Sequence, residues 1–174
     1  MNTETQLLER LLNTGLTQQN ISQELEHYTD SSERRLRHIG ARVSASLCKS
    51  TQLYLMTIGF SGVKGPEKEE CCCIRRVKAI GLFSLCESSE TGLYTSALTQ
   101  LVRLYADHSE YIRFMVATAI KQHYQLDPKD PKRLGLNEGF LDRCYERLLY
   151  DPNQLVRNTL VQDLRKEKKP VYSL

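Results

Sequence analysis

The segment IRFMVA at residues 112–117 decides the fold, because related segments occur at three other places in the 174-residue chain. These read LRHIGA at residues 36–41, IRRVKA at 74–79 and LVRNTLV at 155–161. In each, a branched apolar residue precedes an arginine, and a small or β-branched residue stands four places after it. The arginines, Arg37, Arg75, Arg113 and Arg157, are spaced by 38, 38 and 44 residues. A period of this length predicts an array of similar structural units.

Each unit is predicted to be a pair of helices. Apolar residues recur at spacings of three and four after the start of the later segments, as in Ile112, Met115, Val116, Ala119 and Ile120, and in Leu155, Val156, Leu160, Val161 and Leu164. Acidic residues are predicted as N-caps of these helices, namely Asp30, Asp107 and Asp151, with Pro152 at a first helical position. The preceding helices are predicted at residues 91–105 and 137–150. Such pairs pack antiparallel and leave apolar surface for the next pair.

The repeat resembles that of the HEAT family. An aspartate six positions before the arginine, in Asp107 with Arg113 and in Asp151 with Arg157, resembles the Asp and Val-Arg signature of that family. The earlier units have Glu69 before Arg75 and Ser31, beside Asp30, before Arg37. The resemblance covers roughly residues 17–167. It implies that the matching acids and arginines stabilise the packing between neighbouring pairs.

The predicted fold is therefore all-α, a short right-handed α-solenoid of about four antiparallel helix pairs in a single domain, residues 1–174. The pairs are predicted at residues 17–48, 51–87, 90–125 and 136–168, with residues 1–15 forming an N-terminal capping helix. Earlier first helices are expected at 17–27 and 51–58. The lysine- and proline-containing stretch 126–136 is predicted to be an irregular loop that lengthens the last period.

Composition favours one globular unit without a membrane span. The chain is 40% hydrophobic and 26% charged, with 9 glycines and 5 prolines. It has no run of eighteen apolar residues, and residues 1–5 lack the features of a signal peptide. We therefore expect a cytoplasmic protein, or a nuclear one if it is eukaryotic. A net charge of +3 permits an acidic protein or a nucleic acid as partner without requiring either.

Neither the cysteines nor the histidines form a recognisable metal motif. The six cysteines have no regular spacing, which favours a reducing compartment and buried, apolar side chains. Cys71, Cys72 and Cys73 are consecutive, so their side chains would point about 100° apart on a helix and could not all face one ion. A glycine-rich phosphate loop, GxSxG and HExxH are all absent from the sequence. We predict no metal, cofactor or catalytic residue.

Basic and aromatic side chains outside the repeated arginines are the candidate partner-binding residues. They could merge into a positive stripe if the later helices of the pairs line one surface. The set is Arg34, Arg35, Arg42, Arg76, Lys78, Lys121, His123 and Tyr124, with Tyr105 and Tyr111 as further exposed aromatic anchors. The repeat positions Arg37, Arg75, Asp107, Arg113, Asp151 and Arg157 are predicted to be structural.

The leading functional hypothesis is a protein–protein interaction module, such as a scaffold, adaptor or inhibitor. The alternative is a nucleic-acid-binding solenoid that uses the basic stripe. Residues 16–25 resemble the first part of a helix-turn-helix DNA reader, although Glu26, His27 and Tyr28 follow where a tight turn favours a small residue. A DNA glycosylase of the HEAT-like kind is a third hypothesis, but such enzymes generally use aromatic residues in a basic cleft and this chain has no tryptophan.

Overall fold

The fold is all-α, as predicted. A computed structural model describes residues 3–13, 15–51 and 66–161, and within these ranges all regular secondary structure is helical. The helices are α1 (Thr3–Asn13), α2 (Gln18–Thr29), α3 (Arg34–Thr51), α4 (Cys72–Leu85), α5 (Thr91–Leu101), α6 (Glu110–Tyr124), α7 (Pro131–Leu134), α8 (Glu138–Leu149) and α9 (Gln154–Val161), with 3-10 turns at Pro66–Lys68 and Val102–Leu104. The first helix predicted for the second pair, at 51–58, lies outside the described residues except for Thr51, which ends α3.

The four helices that carry the repeated arginines pack in chain order. Helix α3 packs against α4, α4 against α6, and α6 against α9. The intervening helices support them: α2 packs on α3, α5 on α4 and α6, and α8 on α6 and α9. Helices α3, α4 and α6 therefore each have the corresponding helix of the next unit beside them, so residues at equivalent repeat positions recur on neighbouring helices.

The predicted apolar stripes form a shared core. The stripe of α6 is buried in full, and Leu93, Ala97, Leu98 and Leu101 of α5 are completely inaccessible. Burial of a side chain such as Leu98 contributes about 1.5–3 kcal/mol. At the N-terminus, α1 packs on α3 with Leu7 and Leu11 buried. This core fixes the spacing between neighbouring helices.

The acidic residues predicted as N-caps lie outside the helices that they were expected to start. Helix α6 begins after the N-cap Ser109, and α9 begins only at Gln154, so Pro152 is not its first residue. Asp107 and Asp151 instead accept hydrogen bonds from the N–H groups two residues further on, at 2.8 Å in both cases. Asp30 is the C-cap of α2. The prediction was wrong for Asp107 and Asp151 because their carboxylates bind arginines of the preceding unit. It was wrong for Asp30 because α3 begins only at Arg34.

Two local predictions need correction. The stretch 126–136 contains a helical turn, α7, because Asp130 accepts a hydrogen bond from the Lys132 N–H at 2.8 Å and Pro131 occupies the first turn, where no N–H is needed. The turn expected after residue 25 in a helix-turn-helix reader does not occur, because α2 continues without a break to Thr29.

Candidate interaction surface

Arg113 joins two neighbouring units. Its Nε and Nη2 donate to the two carboxylate oxygens of Asp151 at 2.6 and 3.0 Å. Its Nη1 donates to the backbone carbonyls of Asp107 and His108, six and five residues earlier, at 2.8 and 3.1 Å. One guanidinium thus fixes the loop before its own helix and the loop before the next arginine-bearing helix.

The same arrangement occurs twice more. Arg75 Nε donates to Asp107 at 2.6 Å, and its Nη1 donates to the carbonyls of Glu69 and Glu70 at 2.7 and 2.9 Å. Arg37 donates to both carboxylate oxygens of Glu69 at 3.0 and 3.3 Å, and to the carbonyls of Ser31 and Ser32 at 3.1 and 2.8 Å. We call the set Arg37, Glu69, Arg75, Asp107, Arg113 and Asp151 the arginine ladder.

The acids of the ladder are held from two sides. Each also accepts a hydrogen bond from the N–H two residues further on, which for Glu69 is that of Cys71 at 3.0 Å. Burial raises the pKa of the Asp151 carboxyl, but the hydrogen bond from Arg113, the Asn153 N–H and the charges of Arg113 and Arg157 outweigh it and lower that pKa. The guanidinium groups of the ladder are occupied by protein groups, so they do not form an open phosphate-binding row.

The candidate basic stripe is only partly exposed. Arg34, Arg35 and Arg76 are exposed. The Arg42 side chain is half exposed but pairs with Glu4 of α1 at 3.1 Å, and Lys121 is half-buried on α6. Within the candidate stripe, the most accessible charge therefore lies near the N-terminal ends of α3 and α4.

Lys78 does not belong to an accessible stripe, which corrects its prediction as a partner-binding residue. It is 6% exposed and occupies the repeat position that Gly40, Val116 and Leu160 fill in the other units. Burial lowers the pKa of the Lys78 amine, while the nearby charges of Glu69 and Asp30 partly offset this effect. An ammonium group at an otherwise apolar position costs stability at neutral pH.

We expect Lys78→Met to raise the free energy of unfolding at pH 7 by about 1 kcal/mol, because it removes the buried charge and keeps the volume. The folded-state pKa of Lys78 is lowered, so the wild-type penalty disappears as pH rises towards the ordinary lysine pKa of about 10.4. The stability that Lys78→Met gains over the wild type should therefore be smaller at pH 10 than at pH 7. Chemical denaturation at pH 7 and pH 10 measures both effects. The exposed-site control Lys68→Met should change stability by less than about 0.5 kcal/mol at both pH values. A loss of stability in Lys78→Met would contradict the prediction.

His123 is not accessible to a partner either, which corrects its prediction as a partner-binding residue. It is fully buried, and its Nδ1 lies 2.9 Å from the Tyr94 hydroxyl. Burial, followed by the charge of Arg133, lowers the pKa of the imidazole. Tyr124, beside it in sequence, is half-buried, donates a hydrogen bond to Asp142 and packs edge-on against Tyr145. Both side chains serve the packing of α6 against its neighbours.

The exposed residues two positions before the four repeated arginines, together with exposed Arg76, lie near the starts of neighbouring helices. Arg76 of α4 stacks over the Tyr111 ring of α6, with its guanidinium carbon 4.1 Å from the ring centroid. Tyr111 is 41% exposed and Leu155 of α9 is 61% exposed. The prediction that Leu155 is buried was wrong, because Val156 and Leu160 face the core instead. We call Arg35, Cys73, Arg76, Tyr111 and Leu155 the helix-end row.

The cysteines fall into two groups. Cys86 and Cys144 are buried, as predicted, but Cys72 and Cys73 are exposed at the start of α4, with their sulfur atoms 4.0 Å apart. Burial raises the pKa of the Cys71 thiol, but the N–H groups of Ile74 and Cys73 and the guanidinium of Arg34 outweigh it and lower that pKa. All five of these cysteines are free thiols. Cys48 has no described side chain.

Within the described ranges, no group of three or more His, Cys, Asp or Glu side chains is arranged to hold a metal ion. Nor does any described helix combine the length and apolar character needed to span a bilayer. Comparisons with protein-family models, curated proteins and solved structures find no match.

The sequence identified Arg76 and Tyr111 as candidates but did not predict the contact between them. Their pairing depends on α4 and α6 lying side by side, which no local pattern encodes. Leu155 was missed because it begins the repeated segment at 155–161 and looked like part of the apolar stripe. The sequence indicates the exposure of Leu155 only when the four segments are aligned on their arginines. Leu155 then matches Arg35, Cys73 and Tyr111, and not the buried Ile112.

Proposed function

We propose that this chain is a protein–protein interaction module, a scaffold, adaptor or inhibitor, built as a short right-handed HEAT-like solenoid. The helix-end row is the proposed docking surface. The observation that carries the proposal is the Arg76–Tyr111 stack between α4 and α6, with Leu155 exposed on α9, which packs against α6. The arginine ladder joins the loops that precede these helices. Tyrosine and arginine are the residue types that most often contribute large shares of binding energy at protein interfaces.

The chemistry of the row selects the kind of partner. Arg35 and Arg76 of the row, with the neighbouring Arg34, supply positive charge on α3 and α4, while Tyr111 and Leu155 supply apolar surface on α6 and α9. The best complement is a partner segment with acidic side chains at one end and apolar side chains at the other. The ordered helices need little rearrangement on binding, which limits the entropic cost of association.

Nucleic acid remains the second candidate, and exposed Arg34, Arg35 and Arg76 are what favour it. Against it, the ladder arginines are occupied, Lys78 and His123 are buried, and Arg42 is paired with Glu4. Far fewer positive groups are thus accessible than the sequence suggested. Phosphate recognition depends on the number of such contacts, so this loss weakens the nucleic-acid hypothesis.

Photo-cross-linking can distinguish the two candidates. We expect p-benzoylphenylalanine in place of Tyr111 to cross-link a protein in native cell extract, with or without nuclease. The same photo-reactive residue in place of Glu146, an exposed position of α8 outside the row, should not cross-link that protein. Arg76→Glu should reduce the Tyr111 cross-link at least about tenfold, because it reverses the charge that recognises acidic side chains. Cross-linking that disappears with nuclease, or that is equal at both sites, would refute the proposal.

A further inference from the structure

Cys72 and Cys73 bring two thiols together on the surface. Both side chains are free and exposed at the start of α4, and their sulfur atoms lie 4.0 Å apart. At the metal–sulfur distance of about 2.3 Å that is typical of thiolate ligands, two sulfur atoms 4.0 Å apart subtend an angle of about 120° at a shared ion. One ion can therefore contact both sulfur atoms without movement of the helix.

The electrostatics of the pair favour a bound cation. The hydrogen bond with Cys72 and the charge of that neighbour raise the pKa of the Cys73 thiol, because two adjacent thiolates repel each other. A cation that contacts both sulfur atoms removes this repulsion, and the two thiol protons leave as it binds. The pair is therefore easier to deprotonate with a metal ion than without one.

The number and softness of the ligands select the kind of ion. Zinc takes four protein ligands in structural sites and three in catalytic ones, whereas copper(I) is a soft ion that prefers thiolates and is satisfied by two of them. Copper(I) with two thiolates carries one net negative charge. Arg34, whose charge partly offsets the rise in the Cys73 pKa, and the N-terminal end of α4 both favour that negative charge.

We propose that Cys72 and Cys73 bind one copper(I) ion per chain through their two sulfur atoms. Each thiolate donates an electron pair to the ion, and both thiol protons pass to solvent. Copper stays in the same oxidation state, so the step needs neither an oxidant nor a reductant. The inference goes beyond the proposed interaction function and does not depend on it, although Cys73 also belongs to the helix-end row.

Anaerobic titration of the full chain with copper(I), buffered by the chelator bicinchoninate, tests the site. We expect one ion per chain. Cys72→Ser and Cys73→Ser should each lower the affinity at least about hundredfold, because a hydroxyl is a hard donor that copper(I) binds weakly. The matched control is Cys86→Ser, which changes a buried thiol whose pKa burial raises to about 12, and it should leave the affinity unchanged.

X-ray absorption of the copper-loaded wild type gives a readout that does not depend on the folding of a variant. We expect two sulfur neighbours for each copper ion, and an equal concentration of zinc(II) should not displace the copper. Cys71→Ser should lower the affinity less than about tenfold, since two thiolates suffice. Three sulfur neighbours, one ion for every two chains, displacement by zinc, or an affinity unchanged in both Cys72→Ser and Cys73→Ser would each overturn the proposal.

Discussion

Replacement of Arg113 by alanine is expected to lower the free energy of unfolding by about 3 kcal/mol. The change removes four hydrogen bonds that join the loops at Asp107 and Asp151. It also leaves the Asp151 carboxylate, whose side chain is 4% exposed, without its counterion. An uncompensated buried charge costs more than the intact pair contributes, so the loss is large. Urea denaturation at pH 7 measures it.

Arg103 provides the matched control for this experiment. Its side chain is 47% exposed, and its ion pair with Glu67 spans 3.9 Å. Arg103→Ala should change stability by no more than about 0.5 kcal/mol. Arg113→Lys keeps the positive charge but cannot donate to both carboxylate oxygens and both carbonyls at once. The free energy of unfolding of Arg113→Lys should therefore remain well below that of the wild type. An Arg113→Ala protein as stable as the Arg103 control would show that the ladder does not stabilise the fold.

The loss in Arg113→Ala should depend on pH. The pKa of the Asp151 carboxyl is lowered in the folded protein, so its ion pair contributes fully above the ordinary aspartate pKa of about 3.9. That contribution disappears as pH falls through the lowered pKa. The difference in stability between the wild type and Arg113→Ala should therefore become smaller as pH falls below the ordinary aspartate pKa, while the part due to the hydrogen bonds with the Asp107 and His108 carbonyls remains.

Replacement of Gly40 by alanine is expected to destabilise the protein by about 2 kcal/mol, although alanine favours helix over glycine by about 1 kcal/mol. Gly40 lies in α3, close to the last residues of α2. A Cβ at this position would stand 2.8 Å from Tyr28 Cβ, 3.0 Å from Thr29 Cγ2 and 3.0 Å from the Thr29 backbone nitrogen. These atoms lie on or next to the backbone, so relief requires α2 and α3 to move apart.

Gly139 is the matched control for Gly40. It lies in the first turn of α8, and a Cβ there would meet Asn137 Oδ1 at 3.5 Å and Arg143 Nη1 at 3.9 Å, which are ordinary contacts. Gly139→Ala should therefore raise stability by a few tenths to about 1 kcal/mol, as the lower entropy of the unfolded chain predicts. Thermal and chemical denaturation of both variants gives the comparison. A stabilised Gly40→Ala protein would mean that the two helices are not packed this closely.

Much of the helical organisation follows from local patterns. The apolar spacing from Ile112 to Ile120 predicted α6 and its buried side, and the spacing at residues 137–150 predicted α8 to within one residue at each end. Helix ends were less well predicted around Asp30, Asp107 and Asp151. An acidic residue before an apolar run is typical of an N-cap, but Asp107 and Asp151 bind arginines from another unit, and the helix after each of the three acids begins later than predicted. The HEAT-like arrangement of the whole array stays a prediction.

The candidate surface could be predicted only in part. Sequence alone identified which side chains carry charge or aromatic rings, but not which of them reach solvent. Lys78 and His123 are buried because α4 and α6 are each covered by neighbouring helices, whereas Arg34 and Arg76 lie on the uncovered sides. The exposure of a side chain depends on contacts between residues far apart in the chain. The helical period does not specify which side of a helix its neighbours cover.

By itself, the sequence determined the all-α class, the recurrence of the arginines and the apolar sides of the helices, because these depend on residues within a few turns of one another. Only the tertiary structure decided that Arg37, Arg75 and Arg113 bind acids 32 to 38 residues further on, and that Tyr111 meets Arg76. The physical reason is that a hydrogen bond forms between groups about 3 Å apart in space, and distance along the chain does not specify which groups meet.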